Sequence, residues 1–167
     1  MKGYLNCDIS RDVRPDKILD LEKKLPFKDD TVDEILIEHV LEHIRNFIPL
    51  MHEFYRVCKK GAKIIIKVPF YLSCEQNSDS THVRSFSPFS FDYFDADSRI
   101  GIYSHEVGAR KTLFKVNNVK INYGVGRVRR LNWIFNPLIN LNHMFYCKFF
   151  AGILTASEIQ FKLEVLK

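Results

Sequence analysis

In the first half of the chain, the pattern of apolar and polar positions is typical of β-strands in some segments and of an amphipathic helix in another. The continuous apolar run at residues 35–37 is typical of a strand covered on both faces. The β-branched run at residues 64–68 predicts a second covered strand, which Pro69 ends. Between them, apolar residues from Leu50 to Cys58 recur at helical spacing. These patterns predict a strand-helix-strand unit whose first strand is residues 33–37.

The helix of this unit is predicted to begin at Ile48, because Pro49 suits the first turn of a helix. Lys59, Lys60 and Gly61 are predicted to end it, since cations and a left-handed glycine favour a helix C-terminus. The second strand is then expected to start directly after this glycine.

Two shorter strands are predicted before this unit, and each carries an aspartate at its end. Residues 4–9 predict a strand that ends in Asp8, and residues 18–21 predict a strand with Asp20 near its carboxyl end. An acidic residue at the end of the second strand of a nucleotide-binding unit can accept hydrogen bonds from ribose hydroxyls. The alternative at both positions is an aspartate that caps an ordinary turn.

The second half of the chain predicts further strands and one aromatic helix. Residues 111–116, 119–123 and 158–165 alternate between apolar and polar positions, as strands do. Residues 89–94 predict an aromatic helix, with Ser87 as its N-cap and a proline at its first position.

The strand tip at residues 39–43 also matches the His-x-x-Glu-His pattern of inverted zinc metalloproteases. In that pattern the two histidines bind zinc from one helical face, and the glutamate is the general base. Such a site requires the whole motif inside a helix and a third ligand downstream. Here His39 directly follows a strand, so zinc proteolysis is the less favoured interpretation.

Several short motifs follow one another at residues 20–21, 25–27, 30–33, 39–44, 53–57 and 60–61. Their order resembles the class I, Rossmann-like S-adenosylmethionine-dependent methyltransferases, in their small-molecule branch. The resemblance covers residues 3–95 well and the final strand weakly. It implies an α/β fold with a mostly parallel sheet and an antiparallel C-terminal hairpin. The family's first strand and Gly-rich turn are expected before Met1, so the resemblance describes an N-terminally truncated domain.

The resemblance also implies a cofactor, S-adenosylmethionine, and a set of residues that bind it. Asp8 corresponds to the residue that binds the ribose, and Asp20 and Leu21 lie where the adenine binds. His39 is expected beside the methionine end of the cofactor. Asp8, Asp20 and His39 lie at the ends of three successive predicted strands, where a single ligand can touch all three.

Residues 70–94 are predicted to hold the methyl acceptor, because this polar and aromatic segment starts where the last parallel strand ends. By resemblance to a turn of the same family, Asp79 and His82 are candidates for the general base. Arg84 is a candidate for binding an anionic group of the acceptor. The alternative is structural, with Asp79 satisfying loop amides and His82 packed under the next helix.

Residues 124–156 form an unusual basic and aromatic insertion, with arginines at 127, 129 and 130. The favoured interpretation is a helical cap over the substrate region of one domain that spans residues 1–167. Arginines beside an aromatic amphipathic helix also suit a peripheral membrane contact or a subunit contact through residues 127–154. The prolines, asparagines and charges in this stretch argue against a membrane span.

Composition narrows the class of protein further. The chain is 46% hydrophobic and 27% charged, as ordinary globular proteins are. Residues 1–100 carry a net charge of −2 and residues 101–167 one of +7, which suits a small anionic acceptor better than a specific nucleic acid. Four well-separated cysteines and a polar N-terminus predict a cytoplasmic protein with reduced thiols. The alternative function is a non-catalytic, methyltransferase-like binding or scaffolding module.

Overall fold

The computed structural model describes residues 3–95, 98 and 113–167. Short 3₁₀ turns occupy Leu41–His43, Asp92–Phe94 and Gly126–Leu131. The regular elements, in chain order, are β1 (Cys7–Asp8), β2 (Lys17–Ile18), β3 (Val32–Glu38), α1 (Phe47–Val57), β4 (Cys58–Pro69), α2 (Cys74–Ser78), β5 (Phe114–Asn122), α3 (Asn132–Ile139), α4 (His143–Phe149) and β6 (Glu158–Val165).

The strands form two sheets within the described residues. Strands β1 and β2 pair in parallel, and the other four strands have the order β3-β4-β6-β5. Strand β3 is parallel to β4, whereas β6 runs antiparallel to both of its neighbours. This is the predicted α/β fold with an antiparallel C-terminal hairpin, which the structure confirms.

The core forms where α1 packs on the larger sheet. The inward positions of α1, including Leu50, Met51 and Phe54, are at most 2% exposed, and Ile64 and Ile66 of β4 are fully buried. Each such side chain contributes about 1.5–3 kcal/mol by leaving water. A cluster of phenylalanines from the start of α1, the loops and the hairpin fills the rest of the core, namely Phe47, Phe86, Phe91, Phe94, Phe114 and Phe161.

The predicted end of α1 is wrong. The helix stops at Val57, and β4 starts at the next residue, so Lys59, Lys60 and Gly61 lie in the strand. Cys58 already pairs with Val32 of β3, and the pairing then shifts register before it resumes further along. Gly61 has a φ of 76°, a left-handed conformation that suits such an irregularity because glycine has no Cβ.

Two other predicted boundaries also change. The predicted strands at residues 111–116 and 119–123 are a single strand, β5, with a bulge between Val116 and Asn118; residues 111 and 112 lie outside the described part. The predicted aromatic helix at residues 89–94 is reduced to the turn Asp92–Phe94. There Phe91 and Phe94 are drawn into the core, and this tertiary packing replaces a regular helix.

A row of asparagines on α3 covers the outer edge of β5. Asn140 accepts the N–H of Ile121 at 2.7 Å and donates to its carbonyl at 2.7 Å. Asn136 accepts the N–H of Tyr123 at 2.9 Å, and Asn132 binds both backbone groups of Gly124 at 2.8 and 2.9 Å. Spacing of four residues places the three side chains on one helical face. They satisfy backbone groups that an edge strand would otherwise leave open.

Helices α3 and α4 lie within the segment predicted to be a cap. Tyr146 of α4 is buried against Phe70, with ring centroids 5.9 Å apart, just beyond the carboxyl end of β4. Its hydroxyl donates to the carbonyl of Leu154 at 2.7 Å. Among the described residues, no helix has both the length and the apolar character needed to cross a membrane.

Candidate functional site

Asp8 ends β1, and its carboxylate is only partly used by the protein. The amide of Leu19, just beyond β2, donates to the carbonyl of Asp8 at 2.9 Å, so both short strands end at one edge. Oδ1 of Asp8 accepts the N–H of Ser10 at 2.7 Å, as a turn-capping aspartate does. Oδ2 makes no hydrogen bond within residues 3–95, 98 and 113–167. The capping role and a free acceptor for a ligand therefore coexist in one side chain.

Asp20 uses both of its carboxylate oxygens locally. Oδ1 accepts the N–H of Glu22 at 3.0 Å, and Oδ2 pairs with Lys23 at 3.0 Å. The contact with Lys23, and then the bond from Glu22, lower the pKa of Asp20 below its ordinary value. The amide N–H of Leu21 has no acceptor among the described residues. The N–H of Leu21 is therefore more available to a ligand than the carboxylate of Asp20.

Glu22 joins this turn to the strand tip that follows β3. Its Oε1 accepts the N–H of Arg45 at 2.6 Å, and its Oε2 accepts the N–H of Asn46 at 3.0 Å. These amides precede α1, whose first N–H groups lack partners within the helix. The bonds therefore bring the turn at Asp20 next to the segment that starts at His39.

His39 stands directly after β3 in a left-handed backbone conformation, with a φ of 53°, which is uncommon outside glycine. Its N–H donates to the carbonyl of Lys67 at 2.9 Å. Its ring lies between two carboxylates, 3.3 Å from Glu158 and 3.5 Å from Glu42. Glu158 first, and then Glu42, raise the pKa of His39 to about 10. The imidazole is therefore a cation at neutral pH.

His43 is oriented by the loop that was predicted to hold the acceptor. Its Nδ1 lies 2.9 Å from Oγ1 of Thr81, whose hydroxyl donates to Oδ1 of Asp79 at 2.6 Å. The threonine oxygen then accepts from Nδ1–H of His43, because its own proton is used on the aspartate. Asp79 also accepts the N–H of Thr81 at 2.8 Å. These two bonds lower the pKa of Asp79.

His82 is held by a different bond. Its Nδ1–H donates to the carbonyl of Gln76 at 2.9 Å, which leaves the Nε2 lone pair available. The distance from Nε2 to Asp79 is 3.8 Å, too long for a hydrogen bond. The ring meets that of His43 edge to face, with centroids 4.7 Å apart. The structure thus brings both candidate general-base residues, Asp79 and His82, to the strand tip, in company with His43.

Glu42 completes this cluster. It is fully buried, and neither carboxylate oxygen has a hydrogen-bond partner among the described residues. One potential ligand atom from each of Glu42, His43 and His82 lies within 4.8 Å of the other two. His39 is not a member of this group. The zinc-protease pattern, which pairs His39 with His43, is therefore not the arrangement that the described residues show.

Arg84 lies under the same loop. Its guanidinium stacks on the ring of Phe47 at 4.7 Å, and one terminal nitrogen donates to the carbonyl of Arg45 at 3.3 Å. Its Nε–H is buried and has no partner among the described residues. The side chain therefore supports the loop and still has a donor to offer.

Two shallow grooves are present in the described part of the chain. One, of about 460 Å³, is lined by Leu21 and Glu22 together with residues of α1. The other, of about 560 Å³, lies between β5 and α3. Neither is lined by Asp8, Asp20 or His39. Of the predicted cofactor-binding residues, Leu21 alone borders one of these two grooves.

Sequence reasoning gave no role in this site to Thr81 or Glu158. It named Glu42 and His43 only as part of the less favoured zinc-protease pattern. No local pattern separates a buried unpaired glutamate from a solvated one. The pairing of Glu158 with His39 crosses 119 positions of sequence, so it depends on the order of strands in the sheet.

Comparison with known proteins agrees with this architecture. Residues 8–66 match the sequence model of the methyltransferase domain family. An uncharacterised protein of Methanocaldococcus jannaschii, MJ0638, is 32% identical over 94 residues, which are 56% of this chain and 41% of that protein. The chain therefore spans about two fifths of the length of this relative.

Solved structures share the fold at low sequence identity. A methyltransferase of Archaeoglobus fulgidus that depends on S-adenosylmethionine is 15% identical, with a TM-score of 0.60 over 95% of this chain and 74% of that chain. A proposed methyltransferase of the same type from Listeria monocytogenes is 9% identical, with a TM-score of 0.54 over 96% and 79%. At such identities the similarity concerns the fold.

Proposed function

We propose that this chain, which carries a class I, Rossmann-like methyltransferase domain, transfers a methyl group from S-adenosylmethionine to a small acceptor. When bound, this cofactor supplies a sulfonium methyl group that a nucleophile displaces in line, releasing S-adenosylhomocysteine. Such a displacement depends mainly on position and orientation. The residues of the chain must therefore hold the cofactor at one edge and the acceptor beside it.

The observation that carries the proposal is the set of free polar groups at the shared edge of β1 and β2. Oδ2 of Asp8 offers an acceptor for a ribose hydroxyl, and the N–H of Leu21 offers a donor for the adenine. Asp20 shapes the turn that presents this donor. Glu22 fixes the turn beside the segment from His39, which we assign to the methionine end of the cofactor.

The acceptor is assigned to the loop that contains Asp79 and His82. His82 holds its Nδ1 proton on the carbonyl of Gln76, so its Nε2 can take the proton of an acceptor hydroxyl as the new bond to the methyl carbon forms. Asp79 orders the loop through Thr81. The positive charge of the Arg84 guanidinium suits an anionic group on the acceptor.

Calorimetry with S-adenosylhomocysteine tests the cofactor site directly. Asp8→Ala should weaken binding by about 10–100-fold, the cost of losing hydrogen bonds to a charged acceptor. Asp12→Ala, which removes an exposed carboxylate from the neighbouring loop, is the matched control and should leave the affinity unchanged. The absence of saturable binding to the folded wild-type chain would reject the proposal.

Turnover separates the enzyme from the alternative, a binding module. If S-adenosylhomocysteine binds but no candidate acceptor is methylated in the presence of S-adenosylmethionine, the non-catalytic function is favoured. Location in the cytoplasm stays a prediction.

A further inference from the structure

We propose that Glu42, His43 and His82 form a binding site for a divalent transition metal, with Zn²⁺ as the best match. The site does not depend on the proposed methyl transfer. Two imidazoles and one carboxylate are a donor set typical of zinc sites that keep a fourth position open for water or a substrate. The potential ligand atoms of the three residues already lie within 4.8 Å of one another.

The buried carboxylate is the first observation that requires a partner. Glu42 is 0% exposed, and neither of its oxygens accepts a hydrogen bond from the described residues. Oε1 of Glu42 forms an ion pair with Nδ1 of His39 at 3.5 Å, a separation longer than that of an ordinary hydrogen bond. Burial of a charge without hydrogen bonds is costly. A metal ion would satisfy the free oxygens without displacing His39 from Glu158.

The bonds made by the two histidines are the second observation. His43 donates from Nδ1 to Thr81, and His82 donates from Nδ1 to the carbonyl of Gln76. In both rings this places the remaining lone pair on Nε2. Metal-binding histidines are typically fixed in this way, by a hydrogen bond from the other ring nitrogen to a carbonyl or a carboxylate-linked group.

The backbone holds the two halves of the site together. The N–H of Val83 donates to the carbonyl of Glu42 at 2.9 Å, so the strand tip and the distant loop are joined at the position of the ligands. The rings of His43 and His82 are in edge-to-face contact. The three side chains are thus positioned by the fold, as a binding site requires.

Metal binding changes the role of one atom. The Nε2 lone pair of His82 cannot hold an ion and accept a proton at the same time. With the ion bound, its positive charge favours the deprotonated form of an acceptor hydroxyl at the open position. Without it, His82 keeps the role of general base.

Titration of chelator-treated protein with Zn²⁺ or Co²⁺ tests this site. We expect one equivalent of metal to bind. Calorimetry measures the binding of Zn²⁺, and visible absorption measures the binding of Co²⁺. His43→Ala, His82→Ala and Glu42→Gln should each weaken binding by more than the roughly 10–100-fold that loss of an outer partner costs. His52→Ala should leave it unchanged, because His52 is outside the ligand set and exposed on α1.

A second variant keeps the test decisive if a ligand substitution prevents folding. Thr81→Ala retains all three ligands and removes only an exposed hydroxyl, and it should weaken binding by about 10–100-fold. The proposal fails if the folded wild-type chain binds no metal at one equivalent. It also fails if His39→Asn abolishes binding while His82→Ala does not, which would support the His39 and His43 pair instead.

We also infer, from a separate surface, that residues 124–156 bind the surface of a bilayer that contains anionic lipids. This surface, here called the apolar patch, exposes large apolar side chains of α3, α4 and the segments that follow them. Trp133 is 78% exposed, Leu141 is 85% exposed and Ile153 is 86% exposed. The patch also includes Leu138, Phe145 and Phe149. A concentration of large exposed apolar side chains on neighbouring elements favours an interaction site.

The opposite side of α3 is already occupied, which fixes the orientation of the patch. Asn132, Asn136 and Asn140 bind the edge of β5, so the exposed apolar residues face away from the sheet. Phe145 contacts both Phe149 and Phe150, with ring centroids 5.1 and 5.5 Å away. These contacts extend the apolar surface onto α4.

Charge identifies the occupant as an anionic membrane. Residues 124–156 contain four cations, Arg127, Arg129, Arg130 and Lys148, and no acidic residue. The three arginines are exposed beside α3. An apolar face flanked by cations is the pattern of proteins that lie in the interface of a bilayer. Each basic residue near an anionic surface contributes attraction that salt screens.

The single tryptophan of the chain reports on this contact. Trp133 emission should shift to shorter wavelength with vesicles of phosphatidylglycerol and phosphatidylcholine, and less with phosphatidylcholine alone. Ile153→Asp should reduce the fraction of protein that co-sediments with vesicles. The triple variant Arg127→Glu, Arg129→Glu, Arg130→Glu should reduce it as well. Val13→Asp, which changes an exposed apolar residue outside the patch, is the control.

Two results would overturn this inference. One is an unshifted Trp133 spectrum at every lipid composition. The other is a spectral shift in the absence of vesicles, with both the shift and the sedimentation coefficient increasing as the protein concentration rises. That result would assign the patch to a contact with a second copy of the chain.

Discussion

Oγ1 of Thr81 lies 2.9 Å from Nδ1 of His43, a contact between residues 38 positions apart. The threonine hydroxyl donates its hydrogen bond to Asp79, so its oxygen can only accept from His43. These two bonds therefore assign to His43 the tautomer with the proton on Nδ1. The contact thereby links the loop at residues 79–84 to the strand tip. Both proposals for this region, the acceptor loop and the metal site, depend on that link.

Thr81→Val should release His43 from this tautomer, whereas Thr81→Ser should retain it. Nitrogen chemical shifts of the imidazole distinguish the two forms, and the wild type should show the proton on Nδ1. The expected loss of stability is about 0.5–1.5 kcal/mol, because the contacts of this hydroxyl are exposed to solvent. Identical imidazole spectra in wild type and Thr81→Val would show that the hydroxyl does not orient the ring.

Asn140→Ala should destabilise the fold by about 1–3 kcal/mol, because it leaves the N–H and carbonyl of Ile121 without partners at a covered edge. Urea unfolding measures this difference. Asn118→Ala, an exposed position on the same strand, is the control and should change stability by less than about 0.5 kcal/mol. Equal effects of the two substitutions would argue against the asparagine row as a device that covers the edge.

Arg56→Lys should destabilise the chain by about 2–3 kcal/mol, because lysine cannot reproduce the fork of bonds that arginine makes. Arg56 donates to Glu53 at 2.7 and 2.8 Å, and to the carbonyls of Leu25 and Phe27. Arg45→Lys, at an exposed position, should be neutral. Thermal unfolding compares the two variants. Equal melting temperatures for Arg56→Lys and Arg45→Lys would contradict the stabilising role of the Arg56 contacts.

The contact between Arg56 and Glu53 predicts that the stability of the fold decreases in acid. Arg56, as the largest cause, lowers the pKa of Glu53 to about 2. The unfolded carboxyl titrates at about 4.3, so its stabilising effect is complete above that pH and is lost as the pH falls toward 2. In Glu53→Gln this part of the acid dependence should disappear. A variant with an unchanged acid unfolding profile between pH 5 and 2 would contradict the assignment.

His39 predicts the opposite dependence, on the alkaline side. Its pKa is raised to about 10, above the value near 6.5 of an unfolded histidine. The stabilisation is therefore complete below about pH 6.5 and is lost as the pH rises through 10. The ring is 52% exposed, so solvent and salt reduce the effect.

His39→Asn isolates this titration, because asparagine tolerates the left-handed backbone that His39 adopts. The stability of wild type relative to this variant should decrease between pH 7 and 10. Added salt should reduce the difference further. A difference in stability that stays constant across this range would show that Glu158 and Glu42 do not raise the pKa of His39.

Periodicity predicted the strands around which this fold is built. The apolar runs that became β3 and β4, and the alternation that became β6, are local signals with a direct structural meaning. The end of α1 was misjudged because Gly61 in a left-handed conformation suits both a helix cap and a strand irregularity. Tertiary pairing of Cys58 with Val32 decided between them.

The site was predictable only in part. The positions of Asp8 at the end of β1 and of Asp20 two residues beyond β2 were approximated from strand patterns. Their local hydrogen bonds with the amides of Ser10 and Glu22 were not. The meeting of His43 with His82 depends on how a loop folds back after β4. Such contacts arise from long-range packing, for which the spacing of residues along the chain carries no signal.

The most direct test of the cofactor site is hydrogen–deuterium exchange with and without saturating S-adenosylhomocysteine. The account predicts protection in three segments, namely residues 8–10, 19–22 and 39–43, while the groove between β5 and α3 is unchanged. Protection confined to that groove, or no protected segment in a chain that binds the ligand by calorimetry, would contradict the placement of the cofactor at the edge formed by Asp8, Leu21 and His39.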